Sequence, residues 1–174
     1  MATGARKDEA HIDANWQVDR TLIDGVRTRE VRNIVTANGV TTELYRPDWG
    51  IVEGTVQQVI HVALRGGALS AWHQHRHRWD FLFVVDGHLR VVLHDPRDGS
   101  ATRGQVDVFH LADARPTLLA IPPWVWHGVQ NLSTSVSRFV NMFDQPYDYE
   151  SPDEWRLPPD TDEIPYRFAP TTSS

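Results

Sequence analysis

The amino-acid sequence predicts an all-β fold, a small antiparallel β-barrel, on three observations. Between about residues 29 and 143, short runs of β-branched and aromatic residues alternate with turns built from Gly, Pro and Asp, the pattern of a sandwich or barrel. No long stretch carries a helical period. His73 and His75 stand two apart in one of these runs, so in a strand both point to one face. A chain of 174 residues suits one domain. It buries enough apolar surface to fold without a disulfide or a structural metal.

The elements follow in order. Residues 1–27 read as a peripheral N-terminal segment, polar as far as Asp13, with Trp16 opening the ordered part. Residues 28–145 hold the barrel. Val31, Ile34 and Val35 mark a first run, and 41–45 a second, stopped by Pro47 and Gly50. A longer strand over 56–64 ends at Gly66-Gly67, and 69–75 comes next. The run 81–85 leads into Asp86-Gly87, a hairpin signal that returns the chain through 89–94. Runs at 106–111, 118–121, 125–132 and 137–143 complete the set. After Asp144 the chain is too rich in Pro for a strand or a long helix. Residues 146–174 are therefore expected as an irregular C-terminal arm with one helical turn over 152–155. Trp155, Tyr166 and Phe168 would pin the arm to the barrel or to a partner subunit.

Composition narrows the function. The absence of cysteine excludes disulfide frameworks, thiolate zinc sites, iron–sulfur clusters and cysteine nucleophiles. A net charge of −6 speaks against non-specific nucleic-acid binding. Lys7 is the one lysine and sits in the polar N-terminal stretch, so no Schiff base is expected, whereas the many arginines suit forked contacts to phosphate or carboxylate. No apolar run approaches the roughly 18–20 residues that cross a bilayer, and residues 1–10 do not read as a secretory signal. The expectation is a soluble cytoplasmic protein with neither nucleic-acid nor membrane partners.

The chemistry is carried by histidine. Residues 67–80 read Gly-Ala-Leu-Ser-Ala-Trp-His-Gln-His-Arg-His-Arg-Trp-Asp, and residues 122–131 read Pro-Pro-Trp-Val-Trp-His-Gly-Val-Gln-Asn. By parity Leu69 and Ala71 share the face of His73 and His75. Asp80 opens the next strand, and His127 stands on a distant one. A closed barrel brings such residues together inside. His73, His75, Asp80 and His127 are then candidate ligands for Fe, Mn, Ni, Cu or Zn, with positions left for substrate or water. His77 continues the parity and either replaces His75 or is solvated. Taken singly, each histidine reads as a hydrogen-bonded barrel residue; taken together, they frame a pocket.

These two runs resemble the two motifs of the cupins, which implies a jelly-roll barrel. Asp80 stands where cupins usually carry Glu, and Trp124 where they usually carry Gly. The resemblance extends to the dTDP-4-dehydrorhamnose 3,5-epimerase family through 69–73, 91–97 with Ser100 and Gly104, 121–128, and the tail through 146–149, 157–159 and 164–166. It implies that His73 is a general base removing a proton beside the C4 ketone of a nucleotide-linked deoxy-sugar, with no cofactor required; His127 and Asp80, from the histidine frame itself, complete the candidate catalytic set. The family's remaining groups are not matched. Its Arg three before the base is Ser70, its Lys on the next strand is Asp80, and its acid–base Tyr aligns near Val140. Asp160 is the nearest candidate for its orienting Asp.

Arg65, Arg78 and Arg90 are candidate phosphate contacts. Trp72 and Trp126 are candidate stacking residues for sugar or base, and Tyr147 is a candidate substrate contact that swings in from the arm in place of the missing Tyr. Three functions are expected to compete: a sugar-nucleotide epimerase or isomerase, a metal-dependent cupin enzyme such as an oxygenase, and a non-catalytic small-molecule-binding cupin. A homodimer is expected from the aromatic arm.

Overall fold

The computed structural model describes residues 4–7, 12, 14, 20–52 and 54–169; Trp16 lies outside them. Twelve strands are present among the described residues: β1 (Arg27–Glu30), β2 (Ile34–Thr36), β3 (Gly39–Thr41), β4 (Gln58–Leu64), β5 (Leu69–Gln74), β6 (Asp80–Asp86), β7 (His88–His94), β8 (Val106–Ala112), β9 (Thr117–Ile121), β10 (Trp126–Asn131), β11 (Ser137–Phe143) and β12 (Trp155–Arg156). Two five-stranded antiparallel sheets, ordered β1-β9-β6-β11-β4 and β12-β5-β10-β7-β8, face each other, and β2-β3 forms a separate hairpin. This is the predicted all-β jelly-roll sandwich. The one helical element among the described residues is a 3-10 turn over Pro47–Trp49. No helix of the described residues is long and apolar enough to cross a membrane.

Alternation along the strands sorts the apolar residues into three layers. Between the sheets lie Leu82, Val84, Leu89, Val91, Leu93, Leu119, Ile121, Val129 and Phe139. The opposite parity of the first sheet, Phe81, Phe83, Leu118, Ala120 and Met142, is covered by the 44–56 segment through Tyr45, Trp49, Ile51 and Val52. The opposite parity of the second, Trp72, Val92 and Trp126, is covered by the arm through Leu157, Ile164, Tyr166 and Phe168.

Three details depart from expectation. Ile23 and Val26, in the segment expected to be peripheral, are buried between the sheets, and the Ile23 N–H donates to Asp107 at 2.9 Å. Asp86-Gly87 makes no hairpin, because β6 and β7 belong to different sheets. Gly87, at φ +94°, turns the chain from one sheet to the other, and a Cβ there would meet Ser137 Oγ at 2.2 Å. Residues 152–155 form no helical turn; β12 pairs Trp155 with Gln74 and Arg156 with His73. The loop that follows β7 is held by the Asp95 carboxylate, which accepts from Arg97, Ser100 and Thr102.

Candidate active site

The decisive local feature is a β-bulge in β5. Its register against β10 runs His73↔His127 and then Ser70↔Val129. Two residues, Ala71 and Trp72, thus stand opposite the single Gly128, which flips the parity between Ser70 and His73. Ser70 and His73 therefore share the inner face, while Ala71 and Trp72 join the arm-covered layer. The expected inner wall of Leu69 and Ala71 is replaced by Ser70. Gly128 permits the arrangement, since a Cβ there would lie 2.7 Å from Ala71 Cβ and 2.8 Å from Phe168 Cζ.

A cavity of about 290 Å³ opens between the sheets at this bulge. Its apolar wall is Ile60, Val62 and Leu64 of β4, Leu82 of β6 and Phe139 and Phe143 of β11; its polar groups are Ser70, His73, His75, Asp80, His127, Asn141, Glu154 and Arg156. The four residues predicted from the two motif runs are therefore gathered in one cavity. His127 Nε2 lies 3.2 Å and His75 Nε2 3.6 Å from Asp80 Oδ2. The other nitrogen of each ring is held by backbone: His75 Nδ1 by the Asp153 carbonyl at 2.8 Å, and His127 Nδ1 by the Val125 carbonyl at 3.3 Å. His73 is stacked on His127 with centroids 5.9 Å apart, but its Nε2 bonds to Ser70 Oγ at 2.9 Å rather than facing Asp80.

The electrostatics separate these groups. Burial opposes the charge of Asp80, yet its bonds to His127 and His75 hold the carboxyl well below the usual range. Burial lowers His75 as well, but Asp80 and the Asp153 carbonyl outweigh it and raise the ring. His73 has no such compensation. Burial, helped by His127 and Arg156, pushes it down to about 4, so it is a neutral imidazole at pH 7.

Other expectations land elsewhere. Arg65, Trp72, Arg78, Arg90, Trp126 and Tyr147 do not line the cavity. Arg65 is exposed. Trp72 is fully buried against Tyr166 and Phe168, and Trp126 packs in the same layer. Arg78 is buried and bonds Glu154 at 2.5 Å. Arg90 bonds Gln130, and Tyr147 packs on Tyr149. His77 and Asp160 are exposed. The polar residue of β11 that lines the cavity is Asn141, while Val140 faces away. Trp124 occupies the left-handed region at φ 70°, which explains why glycine is the usual residue there. Glu154, Arg156 and Asn141 were missed. Arg156 sits on a two-residue strand in a Pro-rich stretch with Glu154 just before it, and only the parity of Phe139 and Phe143 could have flagged Asn141.

The spore coat polysaccharide biosynthesis protein SpsL of Bacillus subtilis is 31% identical over 147 residues, 84% of this chain and 97% of its own. The probable low-salt glycan biosynthesis epimerase Agl13 of Haloferax volcanii is 31% identical over 139 residues, 79% and 89% of the two chains. The crystal structure of a dTDP sugar isomerase from Desulfovibrio desulfuricans G20 superposes with a TM-score of 0.77 at 26% identity, over 83% of this chain and 90% of that one. Residues 20–173 match the dTDP-4-dehydrorhamnose 3,5-epimerase family, and with the histidine-lined cavity of the jelly roll already in place, the chain belongs to that family.

Proposed function

We propose that this protein is an epimerase or isomerase of a nucleotide-linked keto-deoxy-sugar, with His73 as the general base. The observation that carries the reading is a neutral, half-buried imidazole in a cavity large enough for one sugar ring. With its lone pair on Nε2, His73 accepts the Ser70 O–H. Substrate displaces that bond, and Nε2 takes the proton from the carbon beside the ketone, leaving an enolate and an imidazolium. The proton then returns to carbon. Positioned acid–base catalysis of this kind contributes about 10²–10⁴-fold. No cofactor is needed for these steps. The test is solvent-deuterium incorporation into a dTDP-4-keto-6-deoxy-sugar. Incorporation by the native protein and its loss in His73→Asn, with unchanged thermal stability, is the expected result; incorporation by the variant at the native rate refutes the assignment.

A second reading rests on a different observation. Ligand atoms of His75, Asp80 and His127 all lie within 4.8 Å of one another, both Nδ1 atoms are held by carbonyls as in metal-bound histidines, and Asp80 Oδ1 is buried without a partner. The trio fits a divalent transition metal with open positions, a Lewis acid for a substrate carbonyl. His73 stands outside it. Stoichiometric metal in the purified protein, with activity lost to a chelator, supports this reading; full activity in metal-stripped protein refutes it. We also propose that two copies pair, since β1 and β4 end the first sheet with open edges; a single solution species of 19.9 kDa refutes that.

A further inference from the structure

We propose that Arg156 is the anion-binding residue of the cavity mouth, gripping the diphosphate of a nucleotide-linked sugar whose ring reaches His73. The inference rests on the sugar-nucleotide reading above and names the residue that admits that substrate class.

The cavity by itself is hostile to an anion. The Asp80 carboxyl is buried inside it with one oxygen unpartnered, and Glu154 adds a second carboxyl. A diphosphate entering beside two carboxylates needs a cation near the entrance. Arg78 cannot serve, because it is buried and its Nη2 already bonds Glu154 at 2.5 Å. Arg156 is the one Arg or Lys among the residues lining the cavity. Its side chain is 66% exposed, and its charged neighbour among the described residues is Glu154, at 4.0 Å, beyond hydrogen-bond distance. Glu154 Oε1 is engaged by Arg78 Nη2, and the Arg156 fork keeps its donors.

Placement agrees with reach. Arg156 stands directly opposite His73 across the β12–β5 pair, where cross-strand side chains are about 5 Å apart at Cβ. Alternation sends Trp155, with its ring against Arg76 at 3.3 Å, to the other face and turns Arg156 to the cavity. A guanidinium presents paired donors that match phosphoryl oxygens. The base and the anion grip are thus neighbours on two adjacent strands, a spacing suited to a sugar inside and its diphosphate outside.

The test uses the full chain and two probes, dTDP and thymidine, with binding measured by calorimetry for the native protein, Arg156→Gln and Arg156→Lys. Arg156→Gln is expected to weaken dTDP about 10–100-fold, the loss of charge-assisted bonds. Thymidine affinity is expected to hold, and Arg156→Lys to recover part of the dTDP affinity. In the deuterium assay the loss appears as raised KM. Native dTDP affinity in Arg156→Gln overturns the proposal, as does equal loss for thymidine or failure of the native protein to bind dTDP. The base assignment fails separately: a native protein that binds dTDP through Arg156 but exchanges no proton retains this inference and loses that one.

Discussion

Gly128→Ala gives the sharpest test of how the bulge builds the site. The added methyl would lie 2.7 Å from Ala71 Cβ and 2.8 Å from Phe168 Cζ. Phe168 is the end of a flexible side chain and can swing away. Ala71 is a methyl on the paired strand, so relief requires β5 and β10 to separate by roughly 0.7 Å, the gap to an ordinary 3.4 Å contact. Overpacking of this kind costs about 1–3 kcal/mol, which for a chain of this length lowers Tm by about 2–12 °C. The separation falls beside the His127↔His73 pair, and a displacement of about 1 Å costs up to about 10²-fold in rate. Thermal unfolding and the deuterium assay report the two effects. Ala71→Gly in the same chain removes the opposing methyl and is expected to show a coupling of at least about 0.5 kcal/mol. A Gly128→Ala protein with native Tm and native exchange refutes the account of the bulge.

Three further outcomes follow from the site. His73 sits at about 4 against an ordinary value of 6.5, so kcat/KM should hold from pH 7 towards 5 and fall as pH approaches 4. A fall centred near 6.5 sinks this. The sign for stability is the same: the unfolded chain takes up this proton first, so the contribution of neutral His73 is intact above 6.5 and lost progressively between 6.5 and 4. Asp80→Asn replaces the buried carboxylate that His75 and His127 share and is expected to destabilise by about 1.5–3 kcal/mol in urea unfolding, the worth of a hydrogen bond to a charged group; an unchanged stability contradicts the description of Asp80 as held by both rings. Asp153 accepts the backbone N–H groups of Arg76 and His77, so Asp153→Ala should speed proteolytic cleavage within 146–169, and an unchanged rate would show that the aromatic contacts alone hold the arm.

Period-two patterning made the strands readable. The run 137–143 coincides with β11, and β4 to β10 fall within a few residues of their expected places. The two histidine runs found their cavity because motif spacing survives folding. What escaped was whatever depends on partner choice. A turn such as Asp86-Gly87 declares a reversal but not which sheet receives it. A bulge is invisible when the extra residue is an ordinary Ala or Trp, so Trp72 could be read as a stacking residue when parity had already turned it outward. Ile23 is short-range noise until Asp107 holds its N–H. The arm hid Glu154 and Arg156, because the short stretch between Pro152 and Pro158 gives no periodic signal and owes its position to β5.

The place of β12 has a consequence for how relatives diverge. It is the outermost strand of its sheet, and no further strand depends on its register. Substitutions there can alter the rim's charge without propagating through the sandwich, while His73 and Asp80, enclosed by strands on both sides, tolerate little. Proton chemistry and substrate admission are therefore written on parts of the chain with unequal freedom to change, and two proteins that share the first can differ in the second.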